Sequence, residues 1–182
     1  GIANAYLDST PMVAITGNVA TSLLGRARFQ EVDISCITMP ITKHNYLVKD
    51  VTKLADTVRE AFDLASSGRP GPVLIDITKD VQMAAAEFEP ETERRPSRAE
   101  QPVSREKLEE AARLITQSER PYIYCGGGVI SANASKELIE LAEKIDAPVG
   151  LSIMGLTAVP YSHPRFLGMV GMHGLYAATK AL

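Results

Sequence analysis

Apolar positions along this chain fall into short continuous runs that alternate with segments of helical period. Residues 12–16 (MVAIT) follow Pro11 and stop at Gly17, which suits a strand buried on both faces. Residues 41–48 (ITKHNYLV) form a second strand candidate. Asp50 is placed to cap a helix over 51–67, in which Leu54, Val58, Ala61, Phe62 and Ala65 share one face. Gly68 supplies the stop, Arg69-Pro70-Gly71-Pro72 a rigid connection, and residues 73–77 (VLIDI) another buried strand. A second cycle begins at Ser104, a candidate cap for a helix that turns Leu108, Ala111, Ala112 and Ile115 inward. Residues 122–125 read as a strand, Gly126 to Gly128 as a sharp turn, and 133–145 as a helix presenting Leu138, Leu141, Ala142 and Ile145. Residues 148–152 are the next strand. Strand and helix alternating at these lengths predict an α/β fold, with parallel sheets flanked by helices.

Between the two cycles, residues 87–102 (EFEPETERRPSRAEQP) are rich in proline and in charges of both signs and lack an apolar period, which predicts an exposed linker. The chain therefore divides into 1–87, a linker at 88–102, and 103–182. Residues 1–7 read as the last turns of a helix without a cap, and 174–182 as a helix barely begun. Both ends suggest an internal fragment with two partial domains. The formal net charge of −3 gives no basic footprint for nucleic acid or an anionic membrane. No apolar run approaches the ~20 residues of a membrane span. Cys36 and Cys125 have no metal-ligand spacing and read as reduced, buried thiols of an intracellular protein.

Ligands of parallel α/β sheets bind at the carboxyl ends of strands, so the loops there carry the candidate chemistry. Gly126-Gly127-Gly128 follows a strand, but it is not the G-x-G-x-x-G dinucleotide fingerprint. It reads either as a backbone approach to a phosphate or as a tight turn requiring positive φ. Residues 168–174 (GMVGMHG) form a second glycine-rich loop, with His173 and soft Met side chains that fill core space or meet a flat cofactor. Phe29 and Gln30 lie in a polar stretch after the first strand and either line a pocket or anchor the loop. Lys43 and His44 could meet a carboxylate or simply face solvent. Arg69 is either held for a phosphate or ribityl chain or is a surface charge. No H-E-x-x-H, C-x-x-C, P-loop or G-x-S-x-G motif occurs, so these residues alone lead only to a cofactor-using α/β protein.

Five blocks taken in order, ITGNVATSLLGRARFQEVDI, TMPITKHNYLVKDV, SGRPGPVLIDITKDVQ, YCGGGVI and LGMVGMHGLYA, resemble the catalytic (large) subunits of acetohydroxyacid (acetolactate) synthases. The resemblance covers nearly the whole chain. It implies the later half of a thiamin-diphosphate pyrimidine-binding domain in 1–87 and the early half of a central FAD-binding domain in 103–182. It also implies condensation of pyruvate with a second 2-keto acid, pyruvate or 2-ketobutyrate, with loss of CO2 in branched-chain amino-acid synthesis. The cofactors implied are thiamin diphosphate, Mg2+ and FAD, the last largely structural. Carried over position by position, Phe29, Gln30 and Lys43 belong to the active-site wall, and Ala20 and Lys79 to the substrate channel. Arg69, Gly126, Gly127, Gly128, Ser152, Met154, Gly171, Met172, His173 and Gly174 match flavin-contacting positions.

The family's ylide-forming glutamate and its Mg2+ ligands fall outside this chain, so the fragment alone is expected to be inactive. Asn18, Ala20 and Arg26-Ala27-Arg28 depart from many relatives, which leaves inhibitor sensitivity open. The resemblance further implies a homodimer or higher assembly, a possible small regulatory subunit, and a cytoplasmic location (plastid in a plant). It implies no nucleic-acid or membrane partner. A flavin-free thiamin-dependent carboligase and a non-catalytic flavin- or nucleotide-binding module are the alternatives. The GMVGMHG block and Arg69 weigh against the first, and Phe29, Gln30 and Lys43 against the second.

Overall fold

The computed structural model of the protein describes residues 1–88, 90 and 102–182, so the expected linker lies almost wholly outside the described residues. The chain forms two compact units, Gly1–Glu100 and Gln101–Leu182, each built on a parallel three-stranded sheet flanked by helices. The α/β class expected from the alternation of runs is therefore the one observed.

In the first unit the order is α1 (Ile2–Leu7), β1 (Met12–Asn18), α2 (Ile34–Thr38), β2 (His44–Val48), α3 (Leu54–Ser66), β3 (Pro72–Thr78) and α4 (Lys79–Met83). The sheet order is β1-β3-β2, so the last strand is central. That explains its sequence. With a neighbour on each side and α3 packed on it, Val73, Leu74 and Ile75 are fully buried, and no polar alternation is tolerated. α3 begins where the Asp50 carboxylate accepts the Thr52 N–H at 2.9 Å, capping a short 3-10 turn that runs into the helix. It ends at extended Ser67 and at Gly68, whose φ is 51°.

Ala61 and Ala65 bury against the sheet, joined by Leu54, Val58 and Leu64. Phe62 was expected inward but is 60 % exposed. One residue beyond Ala61, it lies about 100° further round the helix, past the edge of the contact stripe. The second strand starts at His44 instead of 41, because Met39–Ile41 forms a 3-10 turn containing Pro40. Cys36, expected to be buried, is exposed on α2. The Asp33 carboxylate beside it pushes its thiol pKa up.

In the second unit the order is α5 (Arg105–Gln117), β4 (Ile123–Cys125), α6 (Gly127–Ser131), α7 (Ser135–Lys144), β5 (Val149–Leu151), β6 (Phe166–Met169) and α8 (Tyr176–Ala181). The sheet order is β4-β5-β6. The core gathers Val149, Leu151, Leu138, Ala142, Ala158 and Val159. β6 hides in the sequence because its last two residues, Gly168 and Met169, open the glycine-rich block. The loop proper starts at Val170. Leu141, expected inward, is exposed, while Ile139 packs against the core.

The face of α5 also departs from expectation. Leu108, Ala111 and Ala112 are exposed and Ile115 is half-buried, since no described element packs extensively over that helix. An amphipathic period marks a face suited to burial but does not provide the surface that covers it. Among the described residues no helix is long and apolar enough to cross a membrane.

Candidate functional site

At the carboxyl end of β1 the backbone leaves the sheet beside a hollow of about 180 Å3 lined by Thr16, Gly17, Asn18, Gln30, Val32 and Ile34. Its floor is organised by Asp76 of β3, opposite Thr16 in the register and only 1 % exposed. Thr16 Oγ1 donates to Asp76 Oδ1 at 2.8 Å, and Asn18 Nδ2 donates to Asp76 Oδ2 at 2.6 Å. A carboxylate inside a sheet is tolerated only when its oxygens are met in this way. Gln30 reaches the hollow from a loop in which Phe29 is 88 % exposed. Phe29 and Gln30 are thus neighbours at the carboxyl edge, where parallel sheets take ligands.

Ala20 and Lys79 come together at the same edge. The Asp80 carboxylate, next to Lys79, accepts the N–H of Thr21, next to Ala20, at 3.1 Å and the Thr21 hydroxyl at 3.2 Å. The Thr78 hydroxyl, and then these Thr21 donors, pull the Asp80 pKa down from 3.8 to about 2. A folded-state pKa below the unfolded one stabilises above the unfolded value and is lost as pH falls. The contribution of Asp80 is therefore complete above about pH 4 and disappears towards pH 2. Asp80→Asn is expected to melt below the parent protein at pH 5, and the gap should close in thermal melts taken down to pH 2. A gap that is constant with pH would show that the Asp80 contacts do not depend on its charge.

Lys43 lies at the opposite end of this sheet. Its backbone N–H donates to the carbonyl of Pro72, the first residue of β3, at 2.7 Å. Its Nζ is bound to the Leu64 carbonyl and, at 2.7 Å, to that of Ser67, so the ammonium closes the carboxyl end of α3. Burial pushes its pKa down. Within this unit Lys43 therefore does not share a wall with Phe29 and Gln30. It lines instead a hollow of about 400 Å3 with Tyr6, Leu64, Ser67, Gly68, Arg69 and Pro70. Arg69 is held there by Ser9, its Nε donating to Ser9 Oγ at 2.7 Å. Lys43→Met is expected to cost about 1–2 kcal/mol of stability by leaving the α3 carbonyls unpaired, read by urea unfolding. An unchanged midpoint would show that water replaces the ammonium without loss.

In the second unit Gly126 to Gly128, Ser152 to Met154 and Gly171 to Gly174 follow β4, β5 and β6 in turn, all at one edge. None of Gly126, Gly127 or Gly128 has positive φ, so the tight-turn reading of the glycine triplet does not hold. What the triplet permits is close approach. A Cβ on Gly126 would lie 3.3 Å from Ser152 Oγ, and one on Gly127 3.2 Å from Met154 Cβ. Gly128 and Gly171 face open space, and Gly171 is left-handed at φ 108°. Met172 is 92 % exposed and His173 is exposed beside it. His163, by contrast, is occupied. Its Nδ1 accepts the Arg165 N–H at 3.2 Å and its Nε2 faces Glu143 at 3.2 Å.

Sequence reasoning missed Asp76, Glu31 and Asp80. Asp76 had a signal, a lone carboxylate in the apolar run VLIDI. The other two were indistinguishable from surface charges. Among the described residues no three His, Cys, Asp or Glu side chains converge as a metal site.

Residues 108–182 match the family model of the thiamine pyrophosphate enzyme central domain. The whole chain is 47 % identical over 189 residues to a probable acetolactate synthase large subunit of Methanocaldococcus jannaschii. It is 48 % identical over 181 residues to the acetolactate synthase isozyme 1 large subunit of Escherichia coli, and 47 % over 183 residues to the acetolactate synthase large subunit of Corynebacterium glutamicum. Each match takes in 100 % of this chain but 32 %, 32 % and 29 % of the respective relative. The chain thus spans about a third of the length of these relatives.

Proposed function

Because the chain is homologous over its whole length to about a third of the acetolactate synthase large subunit, we propose that the protein carrying it is the catalytic subunit of a thiamin-diphosphate-dependent acetolactate synthase. It condenses pyruvate with a second pyruvate or with 2-ketobutyrate, releasing CO2, in branched-chain amino-acid synthesis. The observation that carries this reading is the similarity from end to end, 47–48 % identical over the whole chain.

Thiamin diphosphate, when bound, supplies the electron sink for decarboxylation, and the protein supplies orientation and exclusion of water. The roles of this chain's residues follow from their placement. Phe29 offers an exposed aromatic face, and Gln30 an amide that orients a keto acid by hydrogen bonding. Ala20 and Lys79 border the approach. Both carboxylates near the hollow are engaged, Asp76 by Thr16 and Asn18 and Glu31 by backbone N–H groups. This fits a cofactor-activating acid that comes from elsewhere in the protein, as does the Mg2+ ligand set. The 182 residues by themselves are then inactive.

On the second unit, Gly128 and Gly171 leave open space for FAD, with Ser152, Met154, Met172, His173 and Gly174 beside them. By the same resemblance Arg69, in the first unit, matches a flavin-contacting position. The active protein is a homodimer or larger, open to a small regulatory subunit, in the cytoplasm or a plastid. The test is to purify the polypeptide that carries this chain, supply pyruvate, thiamin diphosphate and Mg2+, and measure 2-acetolactate. Formation of acetolactate with co-purifying flavin is expected. Acetolactate without flavin favours a flavin-free carboligase, and the absence of product from a folded protein sinks the reading.

A further inference from the structure

The loop that carries Phe29 and Gln30 has an unusual backbone. Three of its residues are left-handed, Gly25 at φ 75°, Ala27 at 51° and Gln30 at 62°. For the two that are not glycine this conformation is strained unless the surroundings impose it. Burial does not impose it, because every residue from 25 to 30 is exposed. The hydrogen bonds that tie the loop run instead to one side chain. The Glu31 carboxylate accepts the N–H of Gly25, that of Arg26 at 3.2 Å and that of Arg28 at 2.8 Å, while Glu31 N–H donates to the Arg28 carbonyl at 3.0 Å. Successive N–H groups converging on one anion form a nest, here filled from within the chain.

We propose that Glu31 is a positioning residue for the carboligation site. By gathering the N–H groups of Gly25, Arg26 and Arg28, it closes the loop in the one shape that brings Gln30 to the β1 hollow and stands Phe29 beside it. The proposal rests on the catalytic reading given above. The same N–H groups, Arg28's foremost, hold the Glu31 carboxyl below the usual carboxylate range, so the anion that fills the nest is present at neutral pH. Glutamine at this position keeps the shape but turns an NH2 towards donors that need an acceptor. Alanine empties the nest.

The experiment uses the full protein with its cofactors and compares the parent with Glu31→Gln, Glu31→Ala and Glu31→Asp. Amide hydrogen exchange over residues 22–32 reads the loop directly and does not depend on any activity. Exchange about tenfold faster or more is expected in the Gln and Ala variants, with global melting unchanged. Activity should fall together with loop order, because small misplacement of an orienting group costs kcat/KM on the order of 10- to 100-fold. Glu31→Asp, still an anion, should recover part of both. Glu31→Gln combined with Gln30→Ala should lose clearly less than the sum of the two single losses, since Glu31 acts in part through Gln30. Unchanged exchange overturns the proposal. Faster exchange with full activity, or additive losses in the double variant, also overturns it. A parent protein that makes no acetolactate while its loop exchange is still Glu31-dependent instead defeats the catalytic reading, and with it the positioning role.

Discussion

Gly174→Ala is expected to destabilise the second unit by roughly 2–3 kcal/mol. A Cβ on Gly174 would overlap the Met169 carbonyl oxygen and sit 2.8 Å from the carbonyl carbons of Met169 and Val170. These are backbone atoms, so no side-chain rotation relieves the clash. The turn cannot simply open either. Gly174 N–H donates to the Gly171 carbonyl at 2.9 Å, and Leu175 N–H to that of Met169 at 2.8 Å, and these bonds set the start of α8. Urea unfolding followed by circular dichroism checks the loss. Gly174 is also among the positions proposed to meet flavin, and the two roles separate cleanly. If stability is unchanged and only flavin retention falls, the glycine serves the ligand and the packing argument is wrong.

Asp76→Ala is expected to cost about 2–3 kcal/mol through the orphaned donors and the emptied site it leaves. The hydroxyl of Thr16 and the amide of Asn18 would lose the acceptor that holds them at 2.8 and 2.6 Å. Asn18 Nδ2 also reaches the Val32 carbonyl at 3.5 Å, so its release loosens the wall facing Gln30. With the proposed activity, a drop in kcat/KM for acetolactate formation should accompany the lost stability. Asp76→Asn, which keeps one acceptor, should lose less of both. Equal losses in the two variants would show that shape, and not acceptance, is what Asp76 contributes.

The class of the fold and the sites of five of the six strands among the described residues, all but β6, were legible because each is written in local periodicity. The run VLIDI has no polar alternation, as a strand covered on both sides requires, whereas the edge strand β1, read the same way, leaves Ile15 exposed; α3 shows its buried stripe and its Asp50 cap in consecutive residues. The resemblance of five ordered blocks pointed to the acetolactate synthase large subunits that the relatives match over the whole chain. What the chain order could not convey was which distant groups meet. Lys43 lies 13 residues after Gln30, yet the parallel crossover puts it at the amino end of the sheet, closing α3. Glu31 reads as one more surface charge until the backbone around it turns left-handed and points its N–H groups inward. Asp76 meets Thr16 across 60 residues because β3 inserts between β1 and β2. Strand periods and caps are properties of neighbours in sequence, so the sequence by itself determined them. Strand order, the burial of Asp76, the exposed face of α5 and the nest at Glu31 depend on contacts between remote segments, which only the tertiary structure decided.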